Sequence, residues 1–118
     1  TRGANPIVSV GSSLSEAAVE MTKSGLGAVT VVAEGGELVG IVTDGDIRRG
    51  LDRKNLAAEK VEAVMTADPV TIEGDSLLAD AVAIMRKRKF DNLVVVDAGG
   101  RPVGMLDIQD LLNEGLFS

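Results

Sequence analysis

"AVTVVAEGGELVGIVTDGD", residues 28–46, and "NLVVVDAGGRPVGMLDIQD", residues 92–110, decide the fold. Each stretch holds two β-rich runs around a Gly-Gly turn: "AVTVV" and "LVGIV" around "AEGGE", then "NLVVV" and "PVGML" around "DAGGR". Apolar, β-branched runs split by a short glycine turn spell a β-hairpin. Upstream, "PIVSVGSSLSEAAVEM" (6–21) lines up with "PVTIEGDSLLADAVAI" (69–84). The upstream offset is one residue smaller than the hairpin offset, so the second copy is expected to carry an extra residue between its helix and its next strand. Two copies of one unit account for most of the chain, and internal repetition is the strongest organisational signal in it.

Each copy reads as strand, helix, strand, turn, strand, helix. Ile7, Val8 and Val10 predict a short strand after Pro6. Ser13 and Glu16 have the capping-box spacing, and Leu14, Ala17, Ala18 and Met21 follow the period of a buried helical stripe. Gly25 is a natural stop. Leu77, Ala81, Ile84 and Met85 repeat the stripe in the second copy. A unit of about 45–50 residues has too little core to stand well alone, and two copies packed sheet to sheet remedy that. The expected organisation is a first repeat over 6–51, a connector over 52–66 and a second repeat over 67–116. Leu56, Val61, Val64 and Met65 predict a short connector helix with one apolar side.

Composition removes whole classes of function. Aromatic residues make up 2% of the 118 residues, so a core drawn from the 45% hydrophobic content must be aliphatic. A net charge of −6 argues against nucleic acid, which needs a basic face. With no His and no Cys there is no Ser-His-Asp set, no imidazole- or thiolate-bound zinc and no disulfide. The absence of Cys is compatible with a reducing, cytoplasmic setting. No apolar stretch approaches the roughly 18 residues of a membrane span. The chain opens at Thr1 without a Met and reads as a fragment with a neighbouring domain missing.

The paired repeats, "VMTADPVTI" at 64–72 and the Gly–apolar–apolar–Thr–x–x–Asp strand end at 40–46 resemble a pair of CBS domains, regulatory modules named after cystathionine β-synthase. "GIVTDGDIRRGL", together with a second repeat ending in "IQDLLNEGLFS", looks like the C-terminal CBS pair of bacterial arabinose 5-phosphate isomerases. In those enzymes a sugar-isomerase domain precedes the pair. The resemblance implies an α+β fold: two β-α-β-β-α repeats packed sheet to sheet with pseudo-two-fold symmetry. It also implies a homodimer, a nucleotide-like ligand, no required cofactor and no catalytic residues in this stretch.

"TDGD", residues 43–46, has two readings. As local structure, Thr43 is a helix N-cap and Asp46 its capping-box partner, and Asp107 and Asp110 of the second copy cap equally well. As a site, a helix start and a Thr hydroxyl suit phosphate, and a carboxylate three residues on suits the two hydroxyls of a ribose. The resemblance maps those roles to Thr43 and Asp46, with Asp44 beside them. It brings Ile7 and Val8, and Gly27, Ala28 and Val29, near the same corner, where backbone reads a base edge and aliphatic side chains sandwich the ring. Arg48 and Arg49 either lie on a solvated face or reach back to an anion. The second copy offers a weaker site with Thr66, Asn92, Asp107 and Asp110, because Asp107 sets a carboxylate where a phosphate oxygen would lie.

Other features have bland explanations. "RKRKF", 86–90, complements a helix end or attracts anions. Thr66 and Asp68, just before Pro69, either line the second cleft or cap a turn. Met21, Met65, Met85 and Met105 are core fillers. Asp44, Asp46, Asp107 and Asp110 each fit a helix start, so no metal site is expected. The leading expectation is a sensor of a nucleotide or nucleotide-sugar acting on a fused isomerase. CMP-Kdo is the named candidate, since that pathway makes Kdo. The alternatives are an adenine-nucleotide sensor of another enzyme or transporter, and a ligand-free dimerisation module.

Overall fold

The structure, a computed structural model, describes residues 5–49, 58–67, 69–74 and 92–107, with positions 80, 83, 84, 86 and 87 between the last two blocks. Of Arg49 and Asp107 it describes the backbone alone. The elements are β1 (Ile7–Ser9), α1 (Leu14–Ser24), β2 (Ala28–Val32), β3 (Leu38–Thr43), α2 (Asp44–Arg49), a 3-10 turn (Val61–Ala63), β4 (Thr66–Ala67), β5 (Thr71–Glu73), β6 (Asn92–Val96) and β7 (Pro102–Asp107). They form a four-stranded sheet in the order β1-β2-β3-β4 and a three-stranded sheet in the order β5-β6-β7. The fold is α+β, with the two repeats packed sheet to sheet about a pseudo-two-fold axis. The Leu77 and Ala81 positions, Met85 and everything after Asp107 lie outside the described residues.

Local chemistry builds α1. The Ser13 hydroxyl accepts from the Glu16 N–H at 3.2 Å, and Gly25 closes the helix at φ 71° by donating to the Met21 carbonyl at 2.9 Å. Leu14, Ala17 and Met21 are buried against the sheet, whereas Ala18 is exposed. The buried stripe is therefore one residue wide at that turn, and Ala18 falls on its flank.

Strand β2 is buried along its whole length because both its faces are covered. Val29 and Val31 pack with Val8, Leu14, Ala17, Met21, Val42 and Val61 on the α1 side. Ala28 faces the other way, in a cluster with Leu26 and Ile41 of the first repeat and Val94, Val96 and Met105 of the second. That mixed cluster is the sheet-to-sheet core.

Both repeats use the same strand register. Ile7 pairs with Thr30 as Thr71 pairs with Val94, and Ala28 pairs with Thr43 as Asn92 pairs with Asp107. The same bulge recurs, between Val31 and Val32 and between Val95 and Val96. The Val10 and Gly74 N–H groups donate to the Val32 and Val96 carbonyls, both at 2.9 Å, so Val10 and Gly74 are equivalent. The second repeat is therefore already shifted by one residue at its first strand, not after its helix. Pairing with β6 sets that register, and matching Pro6 to Pro69 misses it by one.

The hairpin tips meet across the interface. Leu38 N–H donates to the Gly100 carbonyl at 3.2 Å, and Arg101 Nε–H donates to the Gly35 carbonyl at 3.1 Å. Gly36 and Gly100 sit at φ 93° and 79°, so the glycine pairs are turns, as their position between strands requires.

Leu56 of the expected connector helix lies outside the described residues, and the described part of the connector carries a 3-10 turn at Val61–Ala63. It is held by pairing rather than by its own periodicity. Leu14 N–H donates to the Glu59 carbonyl at 2.8 Å, Val61 N–H to the Ser12 carbonyl at 2.9 Å, and Gly11 N–H to Glu62 Oε1 at 2.8 Å. The last bond holds the Glu62 carboxyl below the usual carboxylate range. Val61, the first residue of the turn, is fully buried.

Strand β4 then joins the first sheet, Thr66 opposite Ile41 and Ala67 opposite Gly40. Gly40 is required by that approach: a Cβ there would lie 3.0 Å from the Thr66 carbonyl oxygen and closer still to the Met65 side chain. Among the described residues, nothing lies within 4 Å of a Cβ placed on Gly104, its equivalent. Gly40→Ala is expected to destabilise the module by about 1–3 kcal/mol by overpacking, with Gly104→Ala within roughly 0.5 kcal/mol of wild type. Paired urea melts check the contrast.

Candidate functional site

The corner at the end of β3 is built by three adjoining pieces. Thr43 is the last residue of β3, α2 begins at Asp44, and Ala28 at the start of β2 stands opposite Thr43 in the ladder. Thr43 N–H donates to Asp46 Oδ2 at 2.9 Å, and Asp46 N–H donates to Thr43 Oγ1 at 3.2 Å. This is a reciprocal capping box. Asp46 is only 7% exposed, although it is an acid near the surface end of a short helix. Burial of an ionisable side chain is costly without partners, so this carboxylate is held in place rather than hanging in water.

Gly27 forms the facing wall. Its φ of 70° favours glycine, and its carbonyl accepts the Asp44 N–H at 2.9 Å. A Cβ on Gly27 would lie 2.9 Å from Asp44 Oδ2, so the missing side chain leaves room for the Asp44 carboxylate. Asp44 and Arg48 are exposed.

Of the residues expected at this corner, Thr43, Asp44, Asp46, Gly27 and Ala28 come together. Ile7 stands on the neighbouring strand opposite Thr30, two residues along β2 from Ala28, and is partly exposed. Val8 and Val29 turn their side chains into the α1 core and contribute only backbone near the corner. The Arg49 side chain lies outside the described residues.

The second corner is described in part. Asn92 and Asp107 are paired across β6 and β7, as Ala28 and Thr43 are. The Asp107 side chain, Asp68 and Asp110 lie outside the described residues. Thr66, expected there, lies in β4 on the first sheet, and Asn92 Nδ2 donates across the interface to the Leu26 carbonyl at 3.4 Å. Sequence reasoning missed Leu26: its apolar side chain gives no hint that its carbonyl meets the other repeat.

The corner has the groups for a polyhydroxylated anion. Thr43 Oγ1 accepts one bond and keeps its proton to donate. A carboxylate has about four acceptor sites, of which the Thr43 N–H takes one. Among the described residues, no group of three or more acidic side chains could hold a metal ion. No helix among them is long and apolar enough to cross a membrane.

Comparison with known proteins gives the corner its context. The arabinose 5-phosphate isomerase KdsD of Pseudomonas aeruginosa is 46% identical over 113 residues, which cover 95% of this chain and 35% of that protein. The arabinose 5-phosphate isomerase GutQ of Escherichia coli strain K12 is 34% identical over 112 residues, with coverages of 95% and 35%. The chain thus spans about a third of the length of these relatives. Among solved structures, the CBS domain pair of protein MJ0100, in complex with 5′-methylthioadenosine and S-adenosyl-L-methionine, superimposes with a TM-score of 0.84 at 26% identity, covering 97% of this chain and 90% of that one. Residues 4–53 and 61–116 each match the CBS domain, and with both repeats built on one strand register, the chain belongs to the CBS domain family as a tandem pair.

Proposed function

We propose that this CBS pair senses a nucleotide-like metabolite at the Thr43–Asp46 corner and regulates a fused arabinose 5-phosphate isomerase domain. The observation that carries the reading is Asp46, a buried carboxylate fixed beside a Thr hydroxyl that keeps a proton to donate. The similarity to KdsD and GutQ supports the fused enzyme, and the MJ0100 complex supports a nucleoside-type ligand. The finer proposal is CMP-Kdo. Asp46 takes the ribose hydroxyls, Thr43 a phosphate oxygen and exposed Arg48 the sugar carboxylate. The second repeat carries Asp107 in place of the threonine, so its corner is the poorer phosphate site. On this reading the isolated pair has no turnover of its own, acts in the cytoplasm and pairs as a homodimer.

Binding regulates the enzyme only through a difference in affinity between two states of the whole protein. A thermal-shift panel of CMP-Kdo, CMP, AMP, ADP and ATP tests the reading. A ligand at 100 times its Kd is expected to stabilise the fold by about 2.7 kcal/mol. Selective stabilisation by CMP-Kdo supports feedback sensing, and a shift with adenine nucleotides alone moves the sensor to another metabolite. The reciprocal Thr43–Asp46 bonds also suit a helix cap with no ligand, which favours a structural module as the second reading. Unchanged melting across the panel would leave that one standing.

A further inference from the structure

We infer that Asn92, a residue of the second repeat, is a positioning residue of the first repeat's corner. It opens β6 at the place that Ala28 occupies in β2, yet its side chain serves the other repeat. Its amide donates to the Leu26 carbonyl at 3.4 Å from a part-buried position. The Leu26 side chain is 3% exposed and packs with Val94, Val96 and Met105, all of the second repeat. The second repeat therefore holds Leu26 twice, by its carbonyl and by its side chain.

What Leu26 positions is the wall of the corner. The next residue, Gly27, takes the Asp44 N–H on its carbonyl at 2.9 Å and lies against the Asp44 carboxylate. A continuous chain of contacts thus runs from Asn92 through Leu26 and Gly27 to the first residue of α2. The mirror contact cannot form, because Ala28 has no side-chain donor. The corner is complete only when the repeats are paired, and a ligand that orders Leu26–Gly27 tightens the repeat interface in return, since coupling is reciprocal.

This inference rests on the reading of the corner as a nucleotide site, and its test separates the two. Asn92→Ala and Asn92→Asp are made in the chain as it stands, and folding is checked by thermal melting. The ligand-free Gly27 and Asp44 amide resonances are expected to shift in both variants, while those of Gly36 in the hairpin tip stay in place. Affinity for CMP or AMP, whichever wild type binds, is expected to fall about fivefold in Asn92→Ala, the loss of one neutral hydrogen bond. It falls further in Asn92→Asp, which sets a carboxylate against a carbonyl. Unmoved Gly27 and Asp44 resonances, or affinity within twofold of wild type in both folded variants, overturn the inference while leaving the nucleotide reading intact. Should neither nucleotide bind wild type, that reading fails for both probes, and the ligand-free resonances alone decide whether Asn92 shapes the corner.

Discussion

Leu93→Ala is expected to cost about 2–5 kcal/mol, the range for truncating a buried leucine in a core that relaxes only partly. Leu93 is fully buried and is the largest of the fully buried side chains among the described residues. It lies in the middle of the second sheet, opposite Leu106, and its neighbour Val94 points into the core between the repeats. The truncation thus removes contacts from one face of the strand whose other face holds the two repeats together. For a chain of this size the melting temperature is expected to drop by roughly 8–20 °C. Val103→Ala is the control: it also lies in the second sheet, on β7, but Val103 is 50% exposed, and the change should stay within about 0.5 kcal/mol. A differential scanning calorimetry pair checks both.

Asp46→Ala is expected to separate stability from binding. It removes the acceptor for the Thr43 N–H, a capping loss of about 1–2 kcal/mol. It also removes both acceptors offered to the ligand diol, and bonds to an ionised group are worth about 1.5–3 kcal/mol each, so affinity should fall by about a hundredfold or more. Asp46→Asn keeps an oxygen for the cap and loses the charge. It should fold nearly as well as wild type and bind with intermediate affinity. Calorimetry on the two variants, beside urea melts, gives the separation. Equal losses in stability with no loss in affinity would reduce the corner to a helix cap.

The parts of the fold that were legible in the sequence are those governed by local periodicity. The hairpins announced themselves through Gly35-Gly36 and Gly99-Gly100, and α1 through Ser13, its stripe and Gly25. The parts that were not legible depend on partners distant in sequence. Strand β4 has two residues, Thr66 and Ala67, too few to show alternation, and exists because β3 offers its edge. The connector turn is held by bonds from Gly11 and Leu14 and to Ser12, which no pattern in the connector itself encodes. Gly40 was visible as part of a motif, but its reason, the approach of Met65 and Thr66, was not.

The corner divides in the same way. Thr43 and Asp46 stand three residues apart on one chain segment, so their reciprocal bonds follow from spacing. The Gly27 wall and its tie to Asn92 come from other strands and from the other repeat. Val8 and Val29 illustrate the limit of proximity: they are near the corner in register but turn into the α1 core, as strand alternation dictates.

The most direct measurement is an isothermal titration of CMP-Kdo into wild type, Asp46→Ala and Asp110→Ala. The expected result is one dominant site in wild type that is lost in Asp46→Ala and retained in Asp110→Ala. No binding of CMP-Kdo to a folded wild-type chain would contradict CMP-Kdo as the ligand, and equal weakening by the two substitutions would contradict the assignment of sensing to the Thr43–Asp46 corner.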